Sequence, residues 1–302
     1  MKHPLDSAYA QTERAIEQIV NLNDELTAFL KLQPYKVIGE PDPDAPESAV
    51  GLIARGSIEK ELPLRFSVLT GEIVHNLRTV FDHIVWQLVI ANGRSGNYRT
   101  GFPVCETPKE FETRALGKYR YIEGRQRPEG KIERVSPEAQ AVIESLQPYN
   151  TAKRPKASAL YRLHHLDRIH KHRSLHIVGC AAMLHTLYIH RSWYDRDLDG
   201  RLPVRSMRFR FPRIRTWEGK PVIPFEDGAE LFRVWSKDPV DMQQEISFTI
   251  SFEEPGVVQA QPVVPTLNDL LSFTASTFDT FLMRFFPKGV EGAHQADPSD
   301  PK

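Results

Sequence analysis

Two short stretches concentrate side chains that can move protons or hold anions. One runs from Arg78 to His83 and the other from Asp167 to Arg173. Histidine titrates near neutrality, so His83 and His170 suit general acid–base work. Arg78 and Arg173 carry permanent charge on a planar fork that matches phosphate or carboxylate. Asp82 and Asp167 can orient such groups or pair with them. Glu72 and Asn76 add further polar reach. Read as a site, Arg78, Asp82, His83 and His170 are candidate catalytic residues. Glu72, Asn76, Asp167 and Arg173 are candidate binding residues.

Helices must position these groups. Pro63 suits the first turn of a long helix that runs to about Ala91 and stops at Asn92-Gly93. At about 100° per residue, Ile73, Leu77, Val80, Phe81, Ile84 and Leu88 share one apolar face. Glu72, Asn76, Thr79 and His83 form a stripe elsewhere, with His75 and Asp82 beside it and Arg78 at its far edge. Arg78 can pair with Asp82 and Thr79 with His83, each four residues on. The stripe holds no Lys, the usual filler of a solvated face, so a semi-buried polar cluster competes with plain surface. A second helix is expected over 156–173. There His170 and Arg173 fall in the sector of Leu163, Leu166 and Ile169, with Asp167 at its edge. A His and an Arg in line with core leucines need partners, and Asp82, Glu72 or Asp167 would serve. If the two helices pack together, these pieces form one network. That network either carries chemistry or only fixes how the helices cross.

The remaining pattern predicts an α+β fold: long amphipathic helices, a mostly antiparallel sheet and a C-terminal helix. Residues 6–32 carry Ala15, Ile16, Ile19, Val20, Leu22, Leu26 and Leu30 at helical spacing. Short strands are expected at 35–39 and 50–56, split by PDPDAPES. Residues 94–135 read as irregular and in part a mobile loop, and a short helix follows from Pro137 to about Leu146. Beyond 174, LHIVGCAAMLHTLYI, RSMRFRF and EISFTISFE are strand-like, the last two by their period of two. Glu226-Asp227-Gly228 marks a turn. A closing helix is expected over 266–286, with Thr266 as its cap. The expected organisation is one domain over 1–290, with a helical half (1–174), a β-rich half (175–262) and the closing helix. A split near 174 is the alternative, and 291–302 is expected to be disordered.

The totals exclude several classes. Lys plus Arg and Asp plus Glu are 39 each, so no global field draws the chain to nucleic acid or anionic membrane. No run is apolar enough to span a bilayer, and the N-terminus lacks a signal-peptide stretch. Two distant cysteines, Cys105 and Cys180, suggest no disulfide framework and exclude a thiolate-rich zinc site. A cytoplasmic setting is expected. There is no phosphate-cradling glycine loop, dinucleotide fingerprint or Gly-x-Ser-x-Gly elbow, and no cofactor is expected.

Two resemblances bear on function. The segments HNLRTVFDHIVWQL, FPVCETPKEF, QPY and LHHLDRIHKHRSL resemble a widespread family of uncharacterised bacterial proteins with NLRxxxDH, FP, QPY and DKHR-like motifs. The resemblance covers about 62–175 and brings no known activity. This chain departs at the last motif, with Asp167-Arg168-Ile169-His170 followed by Lys171-His172-Arg173. Separately, Arg78-Thr79-Val80-Phe81-Asp82-His83 is similar to the Arg-x4-His signature of HEPN ribonucleases. That likeness implies a dimerising helical protein that cuts RNA without a metal. Arg78 would then hold phosphate, and His83 would act as general acid or base. On an ideal helix the two point about 140° apart, so they would meet through the reach of Arg or across a dimer.

Two other readings stay open. A metal-dependent hydrolase would draw ligands from His75, Asp82, His83, Asp167 and His170, although there is no His-Glu-x-x-His. A non-catalytic module would use Trp193, Tyr194 or the basic strand RFRFPRIR, whose alternation also predicts an ordinary half-buried strand.

Overall fold

The computed structural model of the chain describes residues 3–118, 129–182, 189–191, 208–210, 215–217, 220–236, 240–242 and 247–287. Its helices are α1 (Asp6–Lys31), α2 (Leu64–Ala91), α3 (Pro108–Glu110), α4 (Pro137–Ser145), α5 (Pro148–Thr151), α6 (Ala159–His170) and α7 (Val263–Phe285). Its strands are β1 (Tyr35–Pro41), β2 (Val50–Ile58), β3 (Ile177–Ala182), β4 (Ile189–Arg191), β5 (Arg208–Arg210), β6 (Arg215–Trp217), β7 (Lys220–Pro224), β8 (Glu230–Ser236), β9 (Val240–Met242) and β10 (Ser247–Phe252). Every described strand pair is antiparallel. The fold is α+β and carries the expected C-terminal helix. Among the described residues no helix is long and apolar enough to cross a membrane.

Contacts divide the chain into two compact units. The first comprises Met1–Leu22, Val68–Leu175 and Val264–Lys302; the second comprises Asn23–Ser67 and His176–Val263. No single cut near 174 gives that division, because the β1–β2 hairpin belongs with the later strands.

The first unit is helical, and local chemistry sets its element ends. Gly93, at φ +68, closes α2 where only a residue tolerant of the left-handed region fits without strain. Ser136 caps α4, accepting the Ala139 N–H at 3.3 Å ahead of Pro137. Ser158 caps α6, accepting the Tyr161 N–H at 3.2 Å. Thr107 and Pro108 start α3, which runs straight into a π turn at Phe111–Ala115. The stretch after 94 therefore holds regular turns, and its residues 119–128 lie outside the described ones. The predicted α2 face is the core: Ile73, Leu77, Val80 and Phe81 are sealed from solvent, and Ile84 and Leu88 nearly so. Phe81 meets Phe102 edge-on at 5.0 Å and stacks on Phe273 of α7 at 5.8 Å. On α1, Ile16 and Val20 are exposed while Gln18 is buried. Gln18 turns inward because its amide finds polar partners on α2. Thr266 does not cap α7: the helix begins at Val263, and Thr266 is buried inside its first turn.

The second unit holds two four-stranded sheets, ordered β1-β2-β8-β5 and β10-β3-β7-β6, and the pair β4-β9. Tyr35, Phe225 and Phe248 cluster with ring centroids 5.2 to 5.5 Å apart. Gly179 makes room for them, since a Cβ there would lie 2.5 Å from the Tyr35 ring. Buried Asp42 accepts from Arg233 at 3.0 Å and from the Trp235 indole at 2.9 Å, fixing the turn after β1. The turn expected at Glu226-Asp227-Gly228 is present, with Gly228 at φ +67. Trp193, Tyr194, most of RFRFPRIR beyond β5 and the 291–302 tail lie outside the described residues.

Candidate functional site

The helical period places Arg78 and Asp82 one turn apart, and both reach the segment that follows α2. Arg78 Nη1 donates to Asp82 Oδ1 at 3.0 Å, and Nη2 donates to the Phe102 carbonyl at 2.8 Å. Asp82 Oδ1 also accepts the Phe102 N–H at 2.7 Å. The pair thus grips both backbone groups of one residue. Arg78 is 5% exposed, so these bonds give both Nη atoms of a guanidinium held away from water their partners. Gln147, fully buried ahead of α5, continues the clamp. Its amide oxygen accepts the Cys105 N–H at 2.9 Å, and its nitrogen donates to the carbonyls of Pro103 and Ile143 at 3.1 and 3.0 Å. Burial pushes the Cys105 thiol up to about 11, which leaves it protonated and a poor nucleophile.

Helices α2 and α6 do touch. Buried Asp167 meets His75 Nδ1 at 2.8 Å through Oδ1, and accepts Lys171 Nζ at 2.7 Å through Oδ2. One turn of α2 away, His170 lies on Gly71: a Cβ on Gly71 would sit 1.9 Å from its Nδ1. Gly71 and His83 are twelve positions apart, so about 18 Å of helix separates their backbones. His83 and His170 therefore do not form the shared site that their types suggested. Arg173 also departs from expectation. Helix α6 ends at His170, and Arg173 is exposed beyond it, bonding the Ser174 carbonyl at 3.1 Å. Its helical phase does not persist past the last turn.

The polar stripe of α2 finds its partners on α1. Asn76 donates to the Gln18 oxygen at 2.7 Å, and the Gln18 nitrogen donates to Glu72 at 3.3 Å. Thr79 does not pair with His83; its hydroxyl donates to the His75 carbonyl at 2.8 Å, as threonine does within a helix.

Sequence reasoning missed His164. It follows Leu160 by four and precedes Asp167 by three, which puts it at the edge of the buried α6 face. Burial, then the charges of Arg78, His165 and Lys131, pull its pKa down to about 3, against a smaller opposite pull from Asp167. The ring is neutral at any ordinary pH. Among the described residues Arg78 Nε and the Nδ1 atoms of His83, His164 and His170 are shut off from solvent without a hydrogen-bond partner.

His83 and Asp82 face an open cleft of about 430 Å³, lined also by Ser7 of α1, Trp86, Gln87 and Thr100. Arg78 does not line it. The set His75, Asp82, His83, Asp167 and His170 is not gathered around a point: among the described residues no three His, Cys, Asp or Glu side chains come together as a metal site. Compared with known proteins, the chain matches no family model, no curated protein and no solved structure.

Proposed function

We propose that the chain is a non-catalytic binding protein, with the Arg78–Asp82 pair and Asp167 as its internal supports and the cleft beside His83 as its ligand site. One observation carries this reading. Arg78 and Asp82 are engaged with each other and with both backbone groups of Phe102. A guanidinium held that way, out of the cleft, is a structural fastener and not a phosphate clamp. The two cysteines are buried and unbridged, in keeping with a reducing, cytoplasmic setting.

The second reading is a metal-independent, HEPN-like ribonuclease acting on RNA as a homodimer. What favours it is His83, whose ring lines an open cleft. His83 would be the general acid or base, and Arg78 would have to release Phe102 to reach a phosphate. Incubating single-stranded RNA with purified protein in EDTA separates the two. No cleavage by wild type or by His83→Ala is the expected result. Cleavage by wild type that disappears in His83→Ala would replace the first reading with the second.

A further inference from the structure

The lining of the cleft specifies the kind of ligand it takes. Among the described residues its one formal charge is the Asp82 carboxylate, and neither Lys nor Arg lines it. Of the cations near Asp82, Arg78 directs Nη1 to Asp82 Oδ1 and Nη2 to the Phe102 carbonyl, and Lys131, close enough to feel the charges of Arg78 and Asp82, does not line the cleft. Oδ1 takes both internal bonds of Asp82, so Oδ2 is unengaged among the described residues, on a side chain 45% exposed. Beside it Trp86 is 42% exposed. Its six-membered ring is held by Gly96, where a Cβ would lie 2.5 Å from the indole. The ring thus packs on the Gly96 backbone, on a residue that stays partly open to solvent. Gln87 and Ser7 add oxygen acceptors with no hydrogen bonds of their own among the described residues.

We infer that this cleft binds an organic cation, an ammonium or guanidinium group, between the Asp82 carboxylate and the Trp86 indole. An open carboxylate oxygen makes a charge-assisted hydrogen bond to such a group. An indole face adds cation–π attraction. Phosphate and carboxylate ligands meet the Asp82 carboxylate and find no Lys or Arg among the described lining residues to bind them. The inference rests on the binding function proposed above and names the ligand class for that same cleft. The cation can come from a free amine or from a Lys or Arg side chain of a peptide.

The test is calorimetric titration of full-length protein with agmatine, with N-acetyl-arginine amide as the peptide-like arm and with inorganic phosphate and AMP as anionic comparators. Agmatine or the arginine amide binds, and the anions do not. Trp86→Leu keeps the apolar packing and weakens binding by about two- to thirty-fold, the range of one cation–π contact. Asp82→Asn, shown folded by circular dichroism, removes measurable binding. A preference for agmatine over the arginine amide marks a free amine as the source; the reverse marks a side chain. Binding of phosphate or AMP without either cation overturns the inference. So does cation binding that neither substitution changes, or silence toward both cations at about 1 mM. Silence with RNA left intact removes only the ligand class. RNA cleavage dependent on His83 removes the binding function itself.

Discussion

Gln147 shows how much one buried amide can hold. Its oxygen and nitrogen satisfy three backbone groups, two within the Phe102–Cys105 segment and one on α4. In Gln147→Glu an acceptor replaces the donor that faces two carbonyls. We expect a loss of about 2–4 kcal/mol in denaturant unfolding with an unchanged m-value. Gln147→Leu, which leaves the same groups unpaired without adding a charge, is expected to lose less. His164 gives a second residue-scale prediction. Its folded pKa, about 3, lies below the ordinary 6.5. The unfolded chain takes up a proton between those values that the folded chain refuses, so stability falls as pH drops through that window. His164→Phe should flatten the slope there by about one proton, roughly 1.4 kcal/mol per pH unit. An unchanged slope would mean that the ring titrates freely. At this scale the i, i+4 spacing made the Arg78–Asp82 pair legible. That its partner is the backbone of Phe102 was not, because nothing local encodes a contact twenty or more residues away. Arg173 was misread since helical phase says nothing beyond the helix end, and His164 was overlooked beside the more regular histidines.

Between elements, the α2–α6 contact depends on a missing side chain. Gly71 lets the His170 ring lie on the α2 backbone. Gly71→Ala should destabilise by about 1–3 kcal/mol through overpacking, even though alanine is the better helix former. His170→Ala should be mild alone and should rescue Gly71→Ala, so a double-mutant cycle by thermal or chemical unfolding should show strong coupling. Independent effects would mean that the two helices do not meet there. The ends of α2 and of α4 were readable from Pro63, Asn92-Gly93 and Pro137, where backbone restriction acts within a few residues. The start of α7 was not readable from Thr266. Its side chain is buried inside the first turn, so a good capping residue serves there as core. The burial of Gln18 in place of Ile16 and Val20 also escaped the periodicity, since polar partners on α2 reversed the usual preference.

Across the whole molecule, the chain passes between the two units four times. Each unit has one buried cysteine, Cys105 in the first and Cys180 in the second. A chain ended after residue 262 lacks α7 and with it the ring that stacks on Phe81. In that truncation Cys105 should react with a thiol reagent at a rate close to that of the unfolded chain, whereas in the full-length protein it should be protected. Persistent protection would show that α7 is dispensable to the first unit. The class of fold was legible from alternating and helical periods. The interleaving was not, because pairing β1–β2 with strands from beyond residue 176 is decided by tertiary packing that no short window contains.

The stacking of Phe81 on Phe273 also has a consequence for synthesis. The two residues are 192 positions apart (273 − 81). At roughly 5–20 residues per second, a ribosome takes roughly 10–40 s to go from one to the other. Through that interval the nascent chain carries the apolar face of α2 without its final cover. Production in cells should therefore depend on translation speed and on factors that shield emerging hydrophobic segments, more than the finished protein's stability alone would suggest.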